Sequence, residues 1–247
     1  MQIRKNIAYG SHRRHKFDLY IPKNKNQLNP LIFLAHGGAW VLGSKSTLNS
    51  LATFLAKNGF IIINFNYRLL QHVNTIDEQI QDFKSCSKYI LASKLLENSQ
   101  RKKIIIGESA GAHLAFLSHK ITQWDGIVSI SGPLNYSQIK NLDFLPLNSH
   151  KWFLPYLLKN KEKSSNNWKK ISPIYQEIDC PVLLFQGKKD PLVPFKDAIE
   201  LRNILERKNI PVRLYLIPQW KHIYRAVHKK SQNFVYNRIK SWLLKNY

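Results

Sequence analysis

At 247 residues, 44% of them hydrophobic, the chain is long enough to close one sizeable core and is read as a single domain. Against 15 Asp and Glu stand 38 Lys and Arg, a net charge of +23 that favours non-specific association with anionic surfaces; the basic residues are spread along the chain with no nucleic-acid-binding motif, so no specific nucleic-acid partner is expected. No apolar run has the length of a membrane span, the polar opening Met1 to Asn6 lacks the apolar core of a secretory signal, and Cys86 and Cys180 are too far apart for a metal knuckle or a disulfide framework, which together predict a cytoplasmic protein with two buried thiols.

In chain order, Phe17-Asp18-Leu19-Tyr20-Ile21 alternates in the manner of an antiparallel edge strand with one face on the core, and it stops at Pro22. From Leu31 onward, apolar runs alternate with amphipathic stretches. Strands are predicted at Leu31 to Ala35, Phe60 to Asn64, Lys103 to Ile106, Gly126 to Ile130, Pro181 to Phe185 and Val212 to Leu216. Helices are predicted from Thr47 to Lys57, Thr75 to Lys94, Ser109 to about Lys120 and Ile223 to Leu244. Such alternation is the signature of an α/β fold with a mostly parallel sheet covered by helices on both faces. Between about Pro133 and Asp179 the pattern lapses into a segment rich in Pro, Asn, Ser, Lys and aromatics, read as a lid or pocket wall.

Three motifs fall at predicted strand ends. Gly107-Glu108-Ser109-Ala110-Gly111 follows one strand and opens a helix, the context in which a sharp turn lifts a serine hydroxyl to the sheet edge; its small neighbours suit that crowded turn. His36-Gly37-Gly38-Ala39-Trp40 follows the strand ending at Ala35. The amides of Gly37, Gly38 and Ala110 are the candidates for holding a developing oxyanion, with His36 bracing the loop and Trp40 packing near the site. Asp190, in Gly187-Lys188-Lys189-Asp190-Pro191, leaves the strand ending at Phe185 and is the candidate acid, ahead of Asp179 and Asp197. His222 follows the last strand and is the candidate base, ahead of His228, which falls in the helical pattern, and of His113, His119 and His150. No cluster has convincing metal spacing, and this chemistry needs no cofactor.

These residues resemble the α/β-hydrolase esterases, particularly the hormone-sensitive-lipase-like group and its small kynurenine-formamidase-like and feruloyl-esterase-like branch. The likeness runs from Phe17-Asp18-Leu19-Tyr20-Ile21-Pro22 through HGGAW, Asn66-Tyr67-Arg68-Leu69, GESAGAHLA and GKKDPLVP to His222. It implies an α/β-hydrolase fold, a Ser109, Asp190 and His222 triad, oxyanion donors at Gly37, Gly38 and Ala110, and hydrolysis of a small-molecule ester. With only 35 residues before His36, too few for the N-terminal cap of larger members, access is expected to depend on the segment after Pro133 and the acyl group to be of short to medium chain. Trp40 and Trp152 are the expected substrate contacts. HGGAW stands where many lipases have HGGG, and bulky Trp220, Lys221 and Ile223 surround the histidine where the family often has small residues. An arylformamidase-like amide hydrolase and a non-catalytic binder of a small ligand or polyanion on the same fold are the alternatives.

Overall fold

The computed structural model describes residues 1–24, 29–73, 75–93, 95–96, 101–136, 169–222 and 229–247. Eight strands form one sheet: β1 (Gln2–Ala8), β2 (Lys16–Ile21), β3 (Leu31–Ala35), β4 (Ile61–Phe65), β5 (Lys103–Glu108), β6 (Gly126–Ile130), β7 (Val182–Gly187) and β8 (Val212–Ile217), in the order β1-β2-β4-β3-β5-β6-β7-β8. From β4 to β8 every neighbouring pair is parallel; β1 and β2 add an antiparallel margin. Among the described residues, the helices α1 (Asn49–Lys57), α2 (Ile76–Ala92), α3 (Ala110–Thr122), α4 (Phe195–Arg207) and α5 (Lys229–Asn246) alternate with the strands.

The continuous apolar runs follow from this layering. In β3, Leu31, Phe33 and Ala35 pack into a core shared with α2, α3 and α4, whereas Ile32 and Leu34 pack into a second core under α1 and α5. With both faces covered, no position of the strand is left for a polar side chain. Each fully buried Leu, Ile or Phe contributes about 1.5–3 kcal/mol relative to exposure. α1 turns Leu51, Ala52, Leu55 and Ala56 to the sheet. The start of α2 is fixed by a capping box, in which the Thr75 amide donates to Glu78 at 3.2 Å, with Asp77 and Glu78 in the first turn favouring the positive end of the helix.

The margin differs from the expectation. Phe17 to Ile21 is antiparallel, but it is not the edge, because β1 pairs outside it. Its alternation suggested one wet face; Asp18 is instead buried, accepting from the Asn6 amide at 2.8 Å and from Lys45 Nζ at 2.7 Å. β1 itself has mostly exposed side chains, so no burial pattern marks it as a strand. Of the segment expected as a lid over 133–179, residues 137–168 lie outside the described residues, as do Trp152, His150 and residues 223–228 at the expected start of the last helix. Both thiols are free and buried. Among the described residues, no helix is long and apolar enough to cross a membrane.

Candidate active site

Ser109 sits between β5 and α3 with φ 50° and ψ −117°, a strained conformation for a residue with a side chain, held by a hydrogen bond from its amide to Ile130 O at 2.8 Å. The turn places it at the carboxyl edge of the sheet. Its Oγ lies 2.8 Å from His222 Nε2, and His222 Nδ1 lies 2.9 Å from Asp190 Oδ2. The sequence brings these three groups from 113 and 32 positions apart.

Backbone pairing between two loops holds the second half of this chain. The Lys188 amide donates to Ile217 O and the Lys189 amide to Trp220 O, each at 3.0 Å, so the loop after β7 and the turn after β8 are tied before either side chain acts. Asp190 Oδ1 accepts the amides of Leu192 at 2.9 Å and Val193 at 3.0 Å, and Oδ2 accepts Gln186 Nε2 at 3.0 Å as well as facing the imidazole. A carboxylate surrounded in this way has one orientation. The bulky Trp220, two residues before His222, packs its ring edge-on against Phe234 and is buried.

The loop after β3 approaches the serine from the other side. A β-carbon on Gly37 would stand 3.3 Å from Ser109 Cβ, and one on Gly111 would collide with the carbonyl oxygens of Ala35 and His36, so only glycine lets β3, its loop and α3 come this close. The Ala110 amide opens α3, where an N–H has no acceptor within the helix. Beyond Gly37 the chain turns on Gly38 O, which accepts from the amides of Val41 at 3.1 Å and Leu42 at 2.8 Å, with Ala39 and Trp40 both left-handed.

Buried polar groups brace this loop. His36 is fully buried; its Nδ1 lies 2.6 Å from Gly37 O and its Nε2 3.2 Å from Arg14 Nη2, the arginine being the donor. Burial lowers its pKa to about 4, against the opposing Gly37 bond, so the ring is neutral at ordinary pH and serves as a brace. Arg14 also donates to Gly43 O at 3.0 Å and Tyr67 O at 2.8 Å, while the Tyr67 hydroxyl donates to His36 O at 2.8 Å and its ring stacks on His36. Arg68, in the next position, grips Asp82 of α2 through Nη2 at 2.7 Å. Trp40 is buried, with its indole N–H donated to His113 Nδ1 at 3.1 Å. Arg14, Tyr67, Gln186 and His113 were not expected as supporting residues from the sequence.

The other carboxylates are used elsewhere. Asp197 is buried in the first turn of α4, taking a backbone hydrogen bond from Asn135, and burial pushes its pKa up to about 7. Asp179 Oδ1 lies 2.6 Å from His119 Nε2, and Cys180 Sγ lies 3.9 Å from the other ring nitrogen. With the thiol and the carboxylate on different ring nitrogens, this trio is a hydrogen-bonded chain and not the cradle of one ion.

Residues 17–205 match the BD-FAE family profile, well over half of the chain. The chain belongs to the BD-FAE family. Isoprenylcysteine alpha-carbonyl methylesterase of Arabidopsis thaliana is 24% identical to this BD-FAE protein over 241 residues, covering 87% of this chain and 55% of the relative, so the chain spans about half the length of that curated relative. Among solved structures, a truncated carbohydrate esterase from gut microbiota superposes with a TM-score of 0.82 at 20% identity, covering 99% of this chain and 96% of the other. Thermogutta terrifontis esterase 2, phosphonylated by sarin, gives a TM-score of 0.78 at 18% identity, covering 97% and 94%. The fold is that of the α/β-hydrolases.

Proposed function

We propose that this BD-FAE member is a serine carboxylic ester hydrolase acting through an acyl-enzyme. The observation that carries the reading is the continuous chain Ser109 Oγ, His222 and Asp190, at 2.8 and 2.9 Å. Ser109 Oγ bonds to the ester carbonyl carbon as its proton passes to His222 Nε2, and the carbonyl electron pair moves to oxygen, which the amides of Gly37, Gly38 and Ala110 receive. Collapse breaks the bond to the leaving alkoxide, which takes the proton back from His222. Water, deprotonated by the same imidazole, then attacks the acyl-enzyme and releases the acid and Ser109. Asp190 holds the imidazole in the productive tautomer and stabilises it when protonated.

Two further findings support this reading: the relatives named above are esterases by name, and one of them carries a phosphonyl group from sarin, an electrophile. Short- to medium-chain acyl groups are the proposed substrates, with Trp40 in the wall behind the oxyanion loop and Trp152 a further proposed contact; association with anionic surfaces through the +23 charge is proposed to be non-specific. The test is hydrolysis of p-nitrophenyl esters from acetate to long acyl chains by the wild-type protein and Ser109→Ala. Turnover confined to short and medium chains, and reduced roughly 10⁴-fold or more in the variant, is expected. Equal turnover in the two proteins would overturn the assignment of Ser109, and turnover rising with chain length would overturn that of the acyl group.

A further inference from the structure

Four chain segments lie on the oxyanion side of the site: the Gly37-Gly38 loop, the first turns of α3, and the two stretches that flank residues 137–168. The stretches are joined to each other, since the Ile174 amide donates to Leu134 O at 3.1 Å and the Tyr136 amide to Ser172 Oγ at 2.9 Å. At the point where these segments meet stands His113, one helical turn beyond Ser109, whose carbonyl accepts the His113 amide at 3.1 Å. The ring is fully buried, and both its nitrogens are used. Nε2 donates to Ile171 O at 2.7 Å, which leaves Nδ1 as the acceptor that the Trp40 indole N–H reaches at 3.1 Å. Tyr136 lies 4.9 Å away between ring centroids, tilted against the imidazole, and Trp40 meets it edge-on at 5.3 Å.

We propose that His113 is a positioning residue for the hydrolytic reaction: through Trp40 it sets the distance between the oxyanion loop and the helix that carries Ser109, and through Ile171 it joins that setting to the stretch following residues 137–168. The inference rests on Gly37 and Gly38 being oxyanion donors. Trp40 and Gly38 are two residues apart in a loop whose left-handed backbone at Ala39 and Trp40 leaves little slack, so a displacement of the indole is passed to the glycine amides. Such donors act only when aimed at the charge that develops in the transition state; a small misplacement therefore lowers kcat and leaves substrate binding nearly as it was. Only a side chain offering an acceptor on one edge and a donor on another can make both bonds, which a core aromatic cannot do.

The two bonds are separable by substitution, because an Asn oxygen can stand where Nδ1 stands and a Gln amide nitrogen where Nε2 stands. His113→Asn keeps an acceptor for Trp40, His113→Gln keeps the donor for Ile171, and His113→Phe keeps neither. The expected kinetics on p-nitrophenyl acetate are a kcat within about threefold of wild type for His113→Asn and a kcat about 10–100-fold lower for His113→Gln and His113→Phe, with KM changed by less than about twofold throughout. Solvent exchange of the Trp40 indole proton, followed by ¹⁵N NMR, should be slow in wild type and His113→Asn and fast in the other two, a readout that needs no activity. Rates that follow the loss of thermal stability and not the Asn/Gln difference, a change in KM with constant kcat, or equal indole exchange in wild type and His113→Phe would each overturn the proposal. A wild type that hydrolyses no ester would instead remove the esterase reading, and the exchange experiment would still decide the His113 tie.

Discussion

Asp190 shows how much of the proposed triad's geometry is settled by hydrogen bonding around one side chain. Its carboxylate is out of contact with solvent and accepts from two backbone amides and from Gln186, so its remaining direction is toward His222 Nδ1. Asp190→Asn keeps the shape but sets an amide NH₂ among four donors. Placed at Oδ2, the NH₂ meets Gln186 Nε2 and His222 Nδ1, and the imidazole is pushed toward the tautomer that cannot accept the serine proton. Turnover is expected to fall by about 10⁴-fold with the fold retained, as measured by kcat on p-nitrophenyl acetate alongside a thermal melt. A loss of less than tenfold would mean that Asp190 does not orient the base. His36 and His113 belong to the same scale: both are buried neutral rings with both nitrogens bonded, His36 to Arg14 and its neighbour Gly37, His113 to Trp40 and Ile171.

At the scale of elements, the contact between the start of α3 and the end of β3 decides whether Ser109 and the Gly37-Gly38 loop can meet. Gly111→Ala would press a methyl group into the carbonyl oxygens of Ala35 and His36, both on backbone that cannot swing aside, and α3 must move away. A loss of about 1–3 kcal/mol in a urea titration is expected, with activity lost beyond what the reduced folded population explains; a neutral effect on both would contradict the close approach. Elements of this central kind were legible in the sequence, because strands buried on both faces read as continuous apolar runs and Ser109, Asp190 and His222 follow strand ends with local turn signals. β1 was not, since its exposed side chains have no pattern and it is a strand only through its pairing with β2. Asp18 misled for a related reason: its polarity suggested solvent, while its partners lie 12 and 27 positions away. The supporting residues were hidden in the same way, Arg14 meeting Tyr67 across 53 positions and Trp40 meeting His113 across 73.

For the molecule as a whole, buried titratable groups tie stability to pH. Burial lowers His36 and His113 from 6.5 to about 4, so between these values the unfolded chain holds two protons that the fold does not. Asp197 acts in the opposite sense: burial raises it from 3.8 to about 7, and over the same range the fold holds one proton that the unfolded chain lacks. Two minus one leaves one net proton taken up on unfolding, so stability is expected to fall as pH drops from 6.5 toward 4, by about 1.4 kcal/mol per pH unit at the steepest. His12 and His72, lowered chiefly by burial, add to the same direction. Urea midpoints across pH 4.5 to 7 check this, and a flat profile or one rising toward acid would contradict it. The central claim, that Ser109 is the nucleophile which this whole arrangement serves, is tested most directly by intact-mass analysis after treatment with a fluorophosphonate. One adduct per wild-type chain is expected, mapped to the peptide that carries Ser109 and absent from Ser109→Ala. An unlabelled wild type, or a Ser109→Ala protein labelled at the same rate, would contradict it.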